Sequence, residues 1–388
     1  MSAPNPRGGH DLVGALMTPA GVVHGRLRVT DGLITAIVPG GVDPGESLST
    51  VVLPPGSLAV PGFVDVHVHG GAGVTFGAAT DPQSTAVDVD VATAFHRRNG
   101  TTTMVASLVS APVDELVRQL EALAPAVRAG TLGAVHLEGP FLSDAWRGAH
   151  DPAHLVDPSP ELVRRLLDAG ADVLSCVTIA PERSGALAAV REMVAAGVVV
   201  AIGHTAATYD QAQAAVDAGA RHFTHLFNGM VPLHHRQGGP VLAAQTNAGT
   251  VVELIADGVH LDDRVVRWQF EALGPQRIAL ITDAMAAAGC PDGMYRLGTM
   301  DVVVQDARAH LADGSTLAGS TATMQDVVRR CVAAGVPLAD VITASSATPA
   351  SVLGLTDRGS LRVGLRADIA VLDAGHRVSA VMQAGTWC

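Results

Sequence analysis

Short, apolar, β-branched runs recur along this chain at intervals of about 30 residues, the length of a βα unit, and this recurrence limits the possible folds most strongly. Stretches rich in alanine, leucine and arginine, with helical periodicity, separate most of the runs, for example 113–128, 161–169 and 186–196. Eight parallel strands that alternate with helices predict an α/β fold of the (β/α)8 or TIM barrel type. We place the strands at 62–68, 101–106, 133–138, 173–179, 198–202, 222–225, 250–255 and 278–281.

The two ends of the chain have a different pattern. Both alternate like short antiparallel strands separated by turn residues. We therefore predict that residues 1–60 and 350–388 together form a small β-sandwich domain, attached to a barrel at 61–349. Between the eighth strand and the tail we predict a hairpin at 295–315 and helices at 323–333 and 338–345.

Hydropathy raises the question of a membrane protein, because 48% of the residues are hydrophobic and the mean hydropathy is +0.31. No segment, however, is an unbroken run of the roughly 20 apolar residues that a membrane helix needs. The N-terminus lacks the apolar core of a signal peptide. Four widely spaced cysteines, with no CxxC pair, indicate free thiols in a reducing compartment. We expect a cytoplasmic protein that does not bind membranes.

The charged residues exclude several chemistries. The formal net charge is −12, which argues against nucleic acid as a partner. All 25 basic residues are arginine. A chain without lysine has no Walker A phosphate loop, no Schiff-base or nucleophilic lysine, and no metal site bridged by a carboxylated lysine.

Polar residues at the ends of the predicted strands indicate a metal site, because functional side chains of a barrel lie at the carboxyl ends of its strands. Imidazoles and carboxylates at one mouth suit zinc or another divalent ion of similar chemistry. An HxH pair alone is weak evidence, since a chain with 16 histidines contains roughly 0.7 such pairs by chance. Six candidate ligands on five strand ends form a much stronger signal, with ordinary buried histidines as the alternative. The candidates are His67, His69, Glu138, His204, His225 and Asp283.

Several segments resemble the amidohydrolase superfamily and, within it, the deacetylases of N-acetylglucosamine 6-phosphate. The resemblance covers nearly the whole chain from about residue 60 onward. Its most specific motifs are HLEGPF, HLFNGM and ADGVH. The segments are PGFVDVHVHG (61–70), HLEGPF (136–141), GAH (148–150), GHT (203–205), HLFNGM (225–230), ADGVH (256–260), TDAM (282–285) and LAGS (317–320).

The resemblance implies one or two divalent ions, with zinc as the first choice and iron, manganese, cobalt or cadmium as alternatives. Glu138 takes the bridging place that a carboxylated lysine has in other amidohydrolases. One site is then formed by Glu138, His204 and His225. A second is formed by His67, His69, Glu138 and Asp283. Some family members lack one or both histidines of the HxH pair and hold a single ion, whereas this chain has both.

The same resemblance implies a mechanism. A water bound to the ion attacks the acetyl carbonyl, Asp283 takes its proton and returns it to the leaving amine, and His150 polarises the carbonyl. Arg236 and His260 contact the phosphate and reach into the site of a partner subunit, which implies a homodimer. The remaining residues predicted to bind substrate are Ala149, Asn228, Gly229, Asp257, Leu317, Ala318 and Gly319.

Two other functions stay open at this point. One is hydrolysis of a different linear or cyclic amide on the same scaffold; the other is a catalytically silent protein that binds a sugar phosphate. The remaining histidines have structural interpretations. His136 and His222 lie inside strands and are expected to pack there, whereas a second group is expected at the surface: His10, His24, His96, His154, His310 and His376.

Overall fold

The computed structural model describes residues 9–40 and 49–388, so 1–8 and 41–48 of the predicted N-terminal region lie outside the described part. Its strands are β1 (His10–Thr18), β2 (Gly21–Thr30), β3 (Leu33–Pro39), β4 (Ser49–Val52), β5 (Leu58–Pro61), β6 (Phe63–Val68), β7 (Gly70–Gly71), β8 (Val74–Thr75), β9 (Thr101–Val109), β10 (Ala134–Glu138), β11 (Leu174–Ile179), β12 (Val199–Ile202), β13 (His222–Phe223), β14 (Val251–Ile255), β15 (Ile278–Ile281), β16 (Gly293–Leu297), β17 (Met300–Gln305), β18 (Arg308–Leu311), β19 (Ile369–Leu372), β20 (Val378–Gln383) and β21 (Thr386–Trp387). Its α-helices are α1 (Pro82–Arg98), α2 (Val113–Arg128), α3 (Pro160–Ala169), α4 (Ala186–Ala195), α5 (Tyr209–Asp217), α6 (Gly239–Thr246), α7 (Asp263–Leu273), α8 (Met324–Ala333), α9 (Leu338–Ile342) and α10 (Thr348–Val352). Two 3-10 turns lie at Pro152–His154 and Pro275–Arg277, and a π-helical turn lies at Thr343–Ala347.

Eight parallel strands form the barrel, in the order β6, β9, β10, β11, β12, β13, β14 and β15. The ring closes between β6 and β15, where Val68 bridges Ala284 and the Asp283 N–H donates to the His67 carbonyl at 3.0 Å. Helices α1 to α8 follow the strands in turn. The predicted (β/α)8 barrel is therefore confirmed, and each predicted strand overlaps an observed one.

Burial on both faces explains why the barrel strands are continuous apolar runs. All residues of β6 are buried, because the barrel interior covers one face and the helices cover the other. The helices have local start and stop signals. Thr208 and Gln211 form a capping box at α5, and Gly197, just after α4, has a φ of +82° that favours glycine. No helix in residues 9–40 and 49–388 is long and apolar enough to cross a membrane.

Strands from both chain ends form a second sheet, in the order β21, β20, β19, β5, β1, β2 and β3, with β4 paired to β1. The Ile34 N–H donates to the Leu365 carbonyl at 2.8 Å, which ties the N-terminal strands to the C-terminal tail. A separate apolar core, with Leu12, Leu27 and Ile369 among its members, fills this small β-domain. The prediction of a small domain built from both termini is thus confirmed in outline, while its boundaries at 60 and 350 stay a prediction.

The segment predicted as a hairpin is a three-stranded antiparallel sheet, β16–β17–β18. A two-residue turn at Asp306 and Ala307, both with positive φ (51° and 58°), adds the third strand. The sequence did not indicate this turn because Ala307 is not a typical residue for such a conformation. Leu297, Val302 and Leu311 of this sheet pack around Ala149 and Met285, so the insertion supports the loops at the barrel mouth.

Two histidines predicted at the surface are buried, and that prediction is wrong for them. His96 lies on the inner face of α1, the same face as the buried residues Val89 and Ala92. Its Nε2–H donates to the Gly70 carbonyl at 2.9 Å. His10 begins β1, where it is paired with Val29 of β2 and Ser49 of β4, and it is 6% exposed. In both cases the element's position in the fold, rather than the polarity of the residue, decides the burial.

Candidate metal centre and active site

The six predicted metal ligands converge at the carboxyl end of the barrel. All six are buried, and each lies at or just after the end of its strand. His67 lies in β6 and His69 directly follows it, and both point to the same side because residues i and i+2 of an extended chain point the same way. The other ligands come from four further strands: Glu138 from β10, His204 after β12, His225 after β13 and Asp283 after β15.

Glu138 divides its two carboxylate oxygens between two clusters of imidazoles. Its Oε1 lies 2.9 Å from His204 Nε2 and 2.9 Å from His225 Nε2, and these nitrogens are 3.0 Å apart. Its Oε2 lies 3.2 Å from His69 Nε2 and 3.5 Å from His67 Nε2. We call Glu138, His204 and His225 the first cluster. Among the described residues, Glu138 thus lies between two pairs of imidazoles, where the sequence analysis expects a carboxylate that bridges two ions.

The second cluster contains the HxH pair and Asp283. His67 Nε2 and His69 Nε2 lie 3.2 Å apart, and Asp283 Oδ1 is 3.1 Å from His69 Nε2 and 3.5 Å from His67 Nε2. In each group of candidate ligands, His67–His69–Glu138 and Glu138–His204–His225, the donor atoms lie within 4.8 Å of one another. Both groups can hold a metal ion.

Hydrogen bonds on the far side of the rings orient two of the ligands. His69 Nδ1–H donates to the Ser107 carbonyl at 3.1 Å, and His204 Nδ1–H donates to the Trp146 carbonyl at 3.0 Å. Because a carbonyl can only accept, each bond places the proton on Nδ1 and points the Nε2 lone pair into the site. This is the tautomer that metal coordination requires, so the donor set fits a divalent cation.

The electrostatics of the site also favour a cation. Burial lowers the pKa of His69, but hydrogen bonds to Asp283 and Glu138 and the charges of both carboxylates outweigh it, and the net shift is upward to about 9. Burial raises the pKa of Glu138, but the nearby imidazoles outweigh it and hold this carboxyl well below its usual range. Positive charge is therefore required among these carboxylates, and it is supplied either by protons on the imidazoles or by a metal ion.

His150, the predicted carbonyl-polarising residue, lies beside the second cluster with its Nε2 3.4 Å from Glu138 Oε2. Its Nδ1 accepts a hydrogen bond from the Ser110 backbone N–H at 3.2 Å, so in the neutral ring the proton must be on Nε2. Burial lowers the pKa of His150 to about 4, against a partial opposing effect of Glu138. At neutral pH, His150 is thus an uncharged donor directed at the site.

All of the predicted ligands except His67 line a cavity of about 380 Å³. His150 and Asp283 line it, together with Trp146 and Arg147 of the loop after β10. Ala318 is not in the cavity wall, because it is fully buried behind it, where its N–H donates to the Ala309 carbonyl at 3.0 Å. The predicted substrate-binding residues that do line the cavity are Ala149, Asn228, Gly229, His260, Leu317 and Gly319.

Asp257 acts on the cavity through His260. His260 Nδ1 and its backbone N–H each lie 2.8 Å from an oxygen of Asp257. Burial lowers the pKa of His260, but the hydrogen bond to Asp257 and the charge of that carboxylate outweigh it, so the net shift is upward. With Nδ1–H bonded to Asp257, the other ring nitrogen is available to an anion in the cavity.

Arg236 and His260, predicted together as residues that reach a partner subunit, lie in different places. His260 lies in the wall of its own chain's cavity, and its reach into a partner's site stays a prediction. Arg236 is exposed, lies outside that cavity and lines a separate groove with Thr208 and Gly239. Its guanidinium contacts His235 Nε2 at 2.8 Å.

Sequence reasoning missed two buried carboxylates next to the ligands. Glu253, in the middle of β14, contacts His67 and His222. Asp65 accepts the Thr282 hydroxyl hydrogen bond at 2.6 Å and so joins the first and last barrel strands directly below His67 and Asp283. Burial raises the pKa of Asp65 to about 7. A single acidic residue inside an apolar strand was the available signal for both.

The amidohydrolase family model matches residues 58–388 of this chain. The chain therefore belongs to the amidohydrolase family, as the motifs indicated. Within that family, it is similar to deacetylases of amino-sugar phosphates. It is 37% identical to the N-acetylgalactosamine-6-phosphate deacetylase of Escherichia coli O157:H7, over 92% of each chain. It is 36% identical to the N-acetylglucosamine-6-phosphate deacetylase of Bos taurus, over 85% of this chain and 83% of the relative.

Solved structures agree with this placement. A variant of the N-acetyl-D-glucosamine-6-phosphate deacetylase of Mycobacterium smegmatis, in complex with N-acetyl-D-glucosamine-6-phosphate, is 44% identical with a TM-score of 0.92. The match covers 98% of this chain and 99% of that one. The N-acetylglucosamine-6-phosphate deacetylase of Thermotoga maritima is 29% identical with a TM-score of 0.86, over 96% and 98% of the two chains.

Proposed function

We propose that this chain is a metal-dependent deacetylase that hydrolyses N-acetylglucosamine 6-phosphate to glucosamine 6-phosphate and acetate. The observation that carries the proposal is the convergence of Glu138, His204, His225 and Asp283 on one cavity whose wall also contains His260. Identities of 36–44% to enzymes of this activity over most of the chain support it.

We propose zinc as the ion of the first cluster, because one glutamate and two histidines with an open position form a ligand set of catalytic zinc. Glu138, His204 and His225 would hold it, and His67, His69, Asp283 and the second oxygen of Glu138 would hold a further ion. Bound there, a divalent cation lowers the pKa of water and polarises a carbonyl. Metal analysis of the purified protein distinguishes zinc from iron, manganese, cobalt and cadmium.

The chain's own residues supply the proton transfers. Asp283 Oδ1 lies beside His67 and His69 of the second cluster, and Asp283 lines the cavity, so we assign it to take a proton from water and pass it to the leaving amine nitrogen. His150, neutral with its proton on Nε2, is placed to donate to the acetyl oxygen as negative charge develops there. His260, held by Asp257, is placed to bind the phosphate.

The test is primary-amine release from N-acetylglucosamine 6-phosphate, measured beside the unphosphorylated sugar and the galactosamine epimer, with and without a chelator. We expect turnover that is lost with the chelator, restored by zinc and dependent on the phosphate. Preference for the galactosamine epimer would assign the substrate of the E. coli relative instead, whereas metal-dependent hydrolysis of only some other amide would overturn the substrate. Absence of any metal-dependent amide hydrolysis would favour the silent binding protein.

We also propose a homodimer in which Arg236 serves the partner's site. Arg236 lies outside its own cavity and, among the described residues, has no carboxylate within ion-pair distance. Exposed apolar side chains, Leu233 and Leu242, flank it in the sequence. Arg236→Met should raise KM for the phosphorylated sugar, and mixing this variant with Asp283→Asn should restore activity, because the hybrid dimer contains one complete site. A monomer by light scattering, or no rescue on mixing, would contradict the shared site.

We propose a cytoplasmic location for this enzyme. The four cysteines, Cys176, Cys290, Cys331 and Cys388, are all free thiols, which supports a reducing compartment. Localisation of a tagged copy in the producing cell is the direct test.

A further inference from the structure

Glu253 lies in the middle of β14, the seventh barrel strand, and its side chain is only 2% exposed. Its strand neighbours Val252 and Leu254 are apolar and fully buried. A buried carboxylate is costly unless its charge and hydrogen bonds are satisfied. It also contacts two of the metal ligands, His67 and His225, which makes it a candidate for a role at the metal centre.

The contacts of Glu253 join the two clusters. Its Oε2 accepts hydrogen bonds from His67 Nδ1–H and from the His225 backbone N–H, both at 3.0 Å. Its Oε1 accepts from His222 Nε2–H at 2.8 Å. The same carboxylate therefore contacts one ligand of the second cluster through its ring and one ligand of the first cluster through its backbone.

The bond to His67 differs from those that orient the other ligands. His69 and His204 donate Nδ1–H to neutral backbone carbonyls, whereas His67 donates to a carboxylate. A carboxylate partner fixes the tautomer, as a carbonyl does, and in addition increases the electron density at the opposite nitrogen, Nε2. That nitrogen faces Glu138 Oε2 and Asp283 Oδ1 in the second cluster.

We propose that Glu253 is the positioning residue that sets the affinity of the second cluster for its ion, through His67. The inference rests on the metal binding of the proposed function and not on its substrate. Its effect on the first cluster is smaller, because it contacts His225 only at the backbone N–H and not at the ring.

Glu253→Gln tests this with little change in shape. The glutamine oxygen can still accept from the His225 N–H and His67 Nδ1–H, which leaves its NH2 group facing His222 Nε2. To accept that bond, His222 must move its own proton to Nδ1, which is buried without a partner in the described structure, so the cost of the substitution falls on a ring outside both clusters. The substitution thus removes the negative charge and keeps the geometry around both clusters.

The measurement is zinc stoichiometry and affinity by competition with a chromophoric chelator, followed by the visible spectrum of the cobalt-substituted protein. We expect two ions per wild-type chain, and in Glu253→Gln a 10–100-fold weaker second ion, the usual effect of losing such a partner. The first ion should change much less. A wild-type chain that takes only one ion at saturating zinc, or a variant whose two affinities match the wild type, would overturn the proposal.

Asp11→Asn is the matched control, because Asp11 is a buried carboxylate of the small β-domain, paired with Arg26 at 2.8 Å and Arg28 at 3.0 Å. It makes the same chemical change away from the clusters and should leave both affinities unaltered. If Glu253→Gln does not fold, Glu253→Asp replaces it; this shorter side chain keeps the charge but cannot span His67 and His222, so it should also weaken the second ion. Because these measurements use no substrate, their outcome does not depend on whether the chain has the proposed deacetylase activity.

Discussion

The buried histidine of α1 makes stability depend on pH in a way that can be calculated. His96 donates Nε2–H to the Gly70 carbonyl, next to the ligand His69, and its Nδ1 is buried with no partner among the described residues. A proton added to Nδ1 would have no acceptor. Burial accordingly lowers the pKa of His96 from 6.5 to about 4.

The direction of the pH dependence follows from the protonation of His96 in the folded and unfolded chain. Above pH 6.5 the residue is neutral in both the folded and unfolded chain; between pH 6.5 and about 4 only the unfolded chain binds the proton, so acid lowers the free energy of unfolding. At 1.36 kcal/mol per pKa unit, the loss is about 2 kcal/mol at pH 5 and about 3 kcal/mol when complete. Below pH 4 both states are protonated and the dependence ends.

His96→Gln isolates this contribution, because the glutamine amide can keep the bond to Gly70 but does not titrate. Urea unfolding of metal-free wild type and variant, followed by tryptophan fluorescence at pH 7.5 and pH 5, gives the difference in the free energy of unfolding at each pH. The other histidines titrate in both proteins and cancel. We expect the free energy of unfolding of the wild type, relative to that of the variant, to fall by about 2 kcal/mol between pH 7.5 and pH 5. If the difference in free energy of unfolding is the same at the two pH values, the conclusion that His96 stays neutral in the folded chain at pH 5 is refuted.

Two further predictions concern the reaction. Asp283→Asn should lower kcat by about 10²–10⁴-fold, the usual range for a general acid–base residue, while zinc in the first cluster stays bound; wild-type-like amine release would contradict its role. His150→Asn should lower kcat by about 10²–10³-fold with little change in KM, as for loss of one donor to a developing oxyanion. His150→Gln, whose amide N–H extends further toward the Nε2 position, should retain more activity, and equal losses in the two variants would argue against donation from Nε2.

The barrel was predictable because burial on both faces leaves a direct mark on sequence. A strand such as β15 (Ile278–Ile281) must be apolar throughout, so its limits are visible without the structure. The ligands were predictable for a related reason: a barrel brings the carboxyl ends of distant strands together, so Glu138 and Asp283 could be expected at one mouth. The resemblance to the family then supplied their roles.

Contacts between distant elements were not predictable. The burial of His96 depends on which face of α1 meets the barrel, and a helix with mixed residues such as Thr85, Val89 and Thr93 on its inner face does not show that face clearly. The role of Glu253 is not visible in its own strand, because its partners, His67 and His222, lie on other strands. Pairing of this kind is set by the register of the barrel and leaves no local pattern.

The backbone around His204 shows why the motif glycines belong to the metal centre. His204 itself has a left-handed φ of +45°, an uncommon conformation for a residue with a side chain, and its ring lies between Gly148 and Gly229. A Cβ atom at Gly148 would lie 3.0 Å from His204 Cε1, and one at Gly229 would lie 2.8 Å from His204 Nδ1. Any side chain at either position would displace the ring from Glu138 Oε1 and from its bond to Trp146. Gly229, predicted as a substrate-binding residue, is therefore required first by the packing of a ligand: the GAH and HLFNGM motifs supply room for His204 as well as groups for the cavity.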